Sequence, residues 1–310
     1  MKLQHTTLKD INISNPNNTL FVLGNGFDMA HGVRSAYTHF RDSLGKNSDL
    51  RQTLEMYITT KTLWSDFEEA LAHIDTSAMY NTVDFWLDDF DAYDEDAQAS
   101  QFFAAIEAAG NPMHVIQTEL PKRFRKWVNS LRPLSTDRPF GSLVSTHSRY
   151  LVFNYTEFIE SIYSVPADRV CYIHGCRKNR QDELVLGHSG NYEDEAEMPS
   201  PNGQTNYDAL NHLSWRIADY YEDTRKHSRD IVKSHSCFFD SLDNIDTIVT
   251  IGHSLARVDN HYFSTVIANN PLPQNIKWYV SFHTTEDAVK AEAFASNMGI
   301  SPNNMALFRV

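Results

Sequence analysis

Short apolar runs of strand length, each stopping at a glycine, asparagine or histidine corner, constrain this chain more than any other feature. Phe21-Val22-Leu23 runs straight into Gly24-Asn25-Gly26. "RYLVF" (149–153) stops at Asn154, "RVCYIHG" (169–175) at His174-Gly175, and "ELVLGH" (183–188) at His188. "IDTIVTIGHSL" (245–255) enters a glycine turn at Gly252. "IKWYVSF" (276–282) and the final "MALFRV" read as two further strands, with "TEDAVKAEAFASNM" as a helix between them. Apolar strands alternating with helices predict a parallel sheet covered on both faces: an α/β, Rossmann-like fold flanked by helices.

Between the first strand (about 19–23) and the next, the pattern turns helical. A helix is expected from about Ser35 to Leu44. In "SDFEEALAHI", Ser65 and Glu68 have the spacing of a capping box. "DDFDAYDEDAQASQFFAAIEAA" is an acidic lead into an apolar-periodic helix, and in "HVIQTELPKRFRKWVNSL" Pro121 marks a helix start or a kink. Residues 42–145 are thus expected to be a helical insertion after the first βα unit, within a single α/β domain spanning 1–310. A polar, acidic stretch around Asn191–Asp208 precedes another long helical segment reaching about Cys237.

Composition narrows the function classes. Lys+Arg 27 against Asp+Glu 40 gives a net charge of −13, which disfavours non-specific nucleic-acid binding. No cluster of carboxylates suggests a metal-dependent nuclease, and no metal is expected. No apolar run approaches the roughly 18–20 residues of a membrane span. The start "MKLQHTTLKDINISN" lacks the apolar core of a signal peptide. Cys171, Cys176 and Cys237 form neither a CxxC pair nor an even framework, so a reduced, cytoplasmic protein without membrane or nucleic-acid partners is expected.

In a parallel sheet, ligands bind at the carboxyl ends of strands near a switch in strand order. The segments Gly24-Asn25-Gly26-Phe27-Asp28, Phe153-Asn154-Tyr155-Thr156, His174-Gly175 and Gly252-His253-Ser254-Leu255 would therefore gather on one rim. Each also has a structural explanation. Gly24 and Gly26 suit either a phosphate or a tight strand-to-helix turn, since Met29 replaces the third glycine of the dinucleotide fingerprint. Asn154 suits either a ligand or a helix N-cap. His174 could be a general base near neutral pH or a buried structural imidazole, and His188 is a weaker candidate of the same kind.

Gly252-His253-Ser254-Leu255-Ala256 also approximates the G-x-S-x-G nucleophile elbow of a serine esterase, with Ala256 in place of the last glycine. Asp259, His261, His283 and Asp287 follow it. That alternative leaves Asn154 and the first glycine loop unexplained.

In order, "LGNGFDMAHGVRSAY", "WSDFEEAL", "FNYTEFIESIY", "YIHG", "LVLGH" and "IGHSLARVDNHYF" resemble the AbiH family of bacteriophage abortive-infection proteins. That family is in turn similar to SIR2-like NAD-consuming enzymes. The resemblance implies a SIR2-like sheet in which Gly24, Asn25, Gly26, Phe27 and Asp28, with Gly252, Ser254 and Asp259, bind NAD. It implies that Asn154 orients a ribose or a water, and that His174 is the general base. Gly32-Val33 occupies the place of the second glycine turn. Several features depart from the SIR2 pattern: Thr156 stands where an Asp usually follows the Asn motif, Met29 sits early in the first helix and implies a different hold on the pyrophosphate, and the cysteine pairs of a deacetylase zinc module are absent.

The implied activity is hydrolysis of NAD to nicotinamide and ADP-ribose in phage defence. The alternative is a sensor that binds a nucleotide without cleaving it. Because such hydrolysis harms the host, the enzyme is expected to stay silent until a phage-derived or host trigger arrives. The helical insertion is then a candidate for gating or homo-oligomer contact.

Overall fold

The computed structural model describes residues 3–88, 95–190 and 204–310. The acidic residues 89–94 and the greater part of the polar stretch after Gly190 lie outside the described residues. Among the described residues, seven strands form one parallel sheet: β1 (Gln4–Thr6), β2 (Thr19–Leu23), β3 (Arg149–Val152), β4 (Val170–Tyr172), β5 (Thr247–Ile251), β6 (Lys277–Phe282) and β7 (Met305–Arg309). Their order is β1-β7-β6-β5-β2-β3-β4. Counting β2 to β7 as one to six gives the Rossmann order 3-2-1-4-5-6, with β1 added beyond β7. The order therefore switches between β2 and β5.

Every residue of β2 and β5 is buried, which is why these strands read as largely apolar runs, broken only by the buried Thr19, Thr247 and Thr250. Leu20, Val22, Ile248, Trp278 and Val280 share a core with Phe263 and Val266 of helix Asn260–Asn269 and with Phe294 and Ala295 of helix Thr285–Asn297. Phe21 stacks on Tyr150 at 5.1 Å between ring centroids. Each fully buried Leu, Ile or Val here contributes about 1.5–3 kcal/mol through apolar burial. Helix Thr285–Asn297 starts with a reciprocal capping box between Thr284 and Asp287.

One expected strand is absent and one strand was not expected. "ELVLGH" forms no strand: the Val185 amide donates to the His174 carbonyl, Tyr155 Oη donates to the Val185 carbonyl, and only His188 makes an isolated bridge, with Arg225. Its apolar residues Leu184, Val185 and Leu186 are only half-buried, unlike those of the central strands. Conversely, β1 has no apolar run to announce it; its pairing with β7 is decided by the sheet edge.

The chain groups into two compact units. One comprises the chain up to Ala36, Val128–Val185 and His227–Val310, and holds the sheet. The other draws on two separate stretches, Tyr37–Trp127 and Leu186–Lys226. It is helical, with Phe40, Phe67 and Phe124 essentially fully buried at its centre. Helix Glu95–Ser130 continues through both Pro112 and Pro121. Pro121 neither starts nor ends it, because Ile106, Ala109, Met113, Ile116, Leu120 and Phe124 stay buried at helical spacing across both prolines. That packing outweighs a cost of about 3 kcal/mol per interior proline.

The capping box expected at Ser65 is also absent. Ser65 Oγ donates to the Thr62 carbonyl, and the short helix Phe67–Ala70 starts after Asp66. Glu68 instead accepts from Tyr37 Oη at 2.9 Å and from the buried Lys226 Nζ at 2.8 Å. No described helix is long and apolar enough to cross a membrane.

Candidate functional site

The carboxyl ends of β5, β2, β3 and β4 are consecutive along the sheet, so the four corner segments line one rim across the switch in strand order. The two glycine loops meet there. The Gly24 amide donates to the Ile251 carbonyl at 3.0 Å, and the Gly26 amide to the Gly252 carbonyl at 2.8 Å. A methyl group on Gly24 would lie 2.5 Å from His253 Cα, and one on Gly26 would lie 2.6 Å from Gly252 Cα. Close approach of one loop to the other thus requires both glycines. The groups these loops leave exposed are Asn25 and Ser254. The Phe27 ring is 1% exposed and packs against His31, Phe140 and Tyr163, which leaves it no surface for a ligand.

Asp28, one residue further, is buried at the first of two polar clusters. Its Oδ1 accepts from Asn154 Nδ2 at 2.7 Å and its Oδ2 from Thr156 Oγ1 at 2.5 Å. Asn154 is therefore not a helix N-cap; the next helix, Phe158–Tyr163, starts after Glu157. With its amide nitrogen committed to Asp28, the Asn154 carbonyl oxygen is held in a fixed direction. Thr156 also makes sense here. A second carboxylate at that position would face Asp28 with like charge, whereas the threonine donates to it.

Burial pushes the Asp28 carboxyl up to about 7, against the hydrogen bonds from Thr156 and Asn154 and the charge of Arg177, which pull it down. Arg177 is held by both Glu157 oxygens and by the carbonyls of Val128 and Leu131. An acid whose pKa is higher folded than unfolded binds its proton more tightly in the fold. Asp28 therefore makes the native state lose stability as pH rises from 3.8 towards about 7, by up to about 1.4 kcal/mol per pH unit. Asp28→Asn can keep both partners, accepting from Asn154 and donating to Thr156. Thermal unfolding between pH 4 and pH 8 should then show a flatter profile and a higher Tm at pH 8 than the unsubstituted chain. A Tm at pH 8 that falls on substitution would rule out a destabilising buried charge.

The second cluster is built on Asp259, in the 3₁₀ turn Arg257–Asp259 before helix Asn260–Asn269. His253 Nε2 stands 3.4 Å from Asp259 Oδ2, and His174 Nε2 stands 3.8 Å from Asp259 Oδ1. All three are buried, at 8%, 2% and 6% exposure for His253, His174 and Asp259. The Phe153 ring packs edge-on against both imidazoles, at 4.2 Å from His253 and 5.2 Å from His174. His253 and Thr156 are the two members to which the sequence assigns no role. Both lie inside its corner motifs, but only the fold supplies their partners.

His188 belongs to the helical unit, where burial pushes its pKa down to about 4. The esterase elbow lacks its geometry. A nucleophile elbow strains the nucleophile's own backbone, but here the positive φ falls on Leu255 (54°) and not on Ser254. Asp287 is engaged at its helix cap by the His283 and Thr284 amides.

Among known proteins, a family model described as "Bacteriophage abortive infection AbiH" matches residues 20–282. No curated protein and no solved structure matches the chain.

Proposed function

The chain belongs to the bacteriophage abortive infection AbiH family, and on that premise we propose that this phage-defence protein binds NAD at its rim and hydrolyses it to nicotinamide and ADP-ribose when triggered. One observation carries the reading: buried Asn154, His174, Asp28 and Asp259 converge at the carboxyl ends of adjacent strands flanking the switch in a Rossmann-ordered sheet.

The reaction breaks the glycosidic bond between the ribose C1′ and the nicotinamide nitrogen. Nicotinamide leaves with the bonding pair and becomes neutral, and an oxocarbenium-like ribose develops. Water then adds its oxygen to C1′ and passes its proton to His174. Positioning and charge stabilisation supply most of the acceleration, since the leaving group is good. Asn154, oriented by Asp28, holds the ribose or the water through its carbonyl oxygen. Asn25 and Ser254 are the loop groups open to phosphate and ribose. With His174 2% and Asn154 7% exposed, the base is shut away from solvent, which suits an enzyme that is silent until the rim opens. The same burial favours a second reading, a sensor that binds the nucleotide without cleaving it.

The test incubates the purified chain with NAD, alone and in phage-infected lysate, and follows nicotinamide and ADP-ribose by chromatography. Thermal-shift binding of NAD and ADP-ribose runs beside it. Release by the unsubstituted chain should fall by about 10²–10⁴-fold in His174→Ala and Asn154→Ala, with ligand binding retained. Binding without release under either condition supports the sensor. Neither binding nor release sinks the nucleotide reading.

A further inference from the structure

The Gly252-His253-Ser254-Leu255 loop lacks the geometry of a nucleophile elbow, yet it carries backbone strain. Leu255 is buried and adopts φ 54°, one of two non-glycine residues with positive φ among those described. Strain of this kind persists where the surroundings enforce it and clusters at functional sites. Its local result is specific. The Leu255 amide points back and donates to His253 Nδ1 at 2.9 Å. The loop is anchored at its other end, where the Gly252 amide donates to Ser281 Oγ at 2.7 Å.

An imidazole nitrogen that accepts a hydrogen bond carries no proton. In neutral His253 the proton is therefore on Nε2, the nitrogen 3.4 Å from Asp259 Oδ2. The other carboxylate oxygen faces His174 Nε2 at 3.8 Å. At 3.8 Å this contact is electrostatic and not a hydrogen bond; catalytic contacts are often this long until the reacting complex forms. The Phe153 ring packs against both imidazoles, and Tyr262 lies 5.6 Å from His174 between ring centroids.

We infer that His253 and Asp259 are positioning residues for His174. Leu255 sets the tautomer of His253, and His253 holds one oxygen of Asp259. The other oxygen keeps a proton on His174 Nε2, which leaves Nδ1 as the basic nitrogen. Asp259 then acts through His174 instead of touching the ribose, and the motif that imitates a serine elbow is a tautomer lock. The inference rests on the reading of His174 as the base, but its geometry can be measured without any turnover.

The experiment uses ¹⁵N-labelled full-length chain and follows imidazole ¹H–¹⁵N correlations through a pH titration. His174→Gln and His253→Gln assign the two rings. Among the described residues, the ionisable groups that face His174 include Asp259 at 3.8 Å, Tyr262, and Tyr155 at 6.4 Å between ring centroids, with His253 on the far side of Asp259. In the unsubstituted chain, neutral His253 should carry its proton on Nε2. Asp259→Asn removes the counter-charge of His174 and should lower its protonation midpoint by about 1–3 pH units. A proton on His253 Nδ1 overturns the inference, and that result needs no variant to fold. A His174 midpoint unmoved by Asp259→Asn overturns it as well. Where the unsubstituted chain releases nicotinamide, Asp259→Asn should lower kcat with KM for NAD unchanged, and Asp259→Glu should restore part of the loss. Release that is absent throughout, with the titration coupling intact, sinks the hydrolase reading and leaves the positioning geometry standing.

Discussion

Gly252→Ala should destabilise the sheet unit by about 3 kcal/mol or more, against about 1–2 kcal/mol for Gly45→Ala. Both glycines have positive φ, 65° and 77°, so a side chain costs similar backbone strain at each. They differ in what the new methyl group meets. At Gly45 nothing lies within 4 Å. At Gly252 the methyl would lie 2.3 Å from the Phe27 amide nitrogen and 2.4 Å from Gly26 Cα, which are backbone atoms. Relief would require prising apart the β2 and β5 loops, at the cost of the hydrogen bond from the Gly26 amide to the Gly252 carbonyl. Denaturant unfolding of the two variants side by side measures the difference. Equal losses would mean that the glycine loops do not depend on each other.

The second large effect lies in the helical unit. Lys226→Met should lower stability by about 3 kcal/mol and Tm by on the order of 5 °C, because it removes the ammonium that faces the partly buried Glu68 carboxylate. The Lys226 side chain is wholly buried, and its Nζ sits 2.8 Å from Glu68 Oε2. Tyr37 Oη satisfies the other oxygen at 2.9 Å. A buried pair of this kind contributes little compared with an apolar replacement of both partners, whereas losing one partner is costly. Lys226→Met combined with Glu68→Leu should therefore recover much of the loss of either single change, a coupling that a double-mutant cycle reads directly. Strictly additive losses would show that Lys226 matters only through the packing of its stem.

These two sites show what local sequence can and cannot convey. Ser65 and Glu68 have capping-box spacing, yet Glu68 is bound by Lys226, 158 residues away. Pro121 is a residue type that starts or kinks a helix, yet it starts none here, and buried contacts carry helix Glu95–Ser130 through it. The three residues of β1 carry no apolar signal, because an edge strand buries too little to need one.

From the sequence by itself came the parallel α/β sheet, strands β2 to β7, and the rim. Strand-length apolar runs and their polar corners are local features, and parallel strands all point their carboxyl ends the same way. The family resemblance was also legible, in motifs spread along most of the chain. Only the tertiary structure decided the partners. Asp28 meets Asn154 across 126 residues, Asp259 lies between two imidazoles carried by different strand ends, and Gly24 and Gly26 owe their identity to Gly252 and His253. Propensity and spacing act over a few residues, whereas side-chain partners follow from strand order and register. Those are settled by burying both faces of the whole sheet at once.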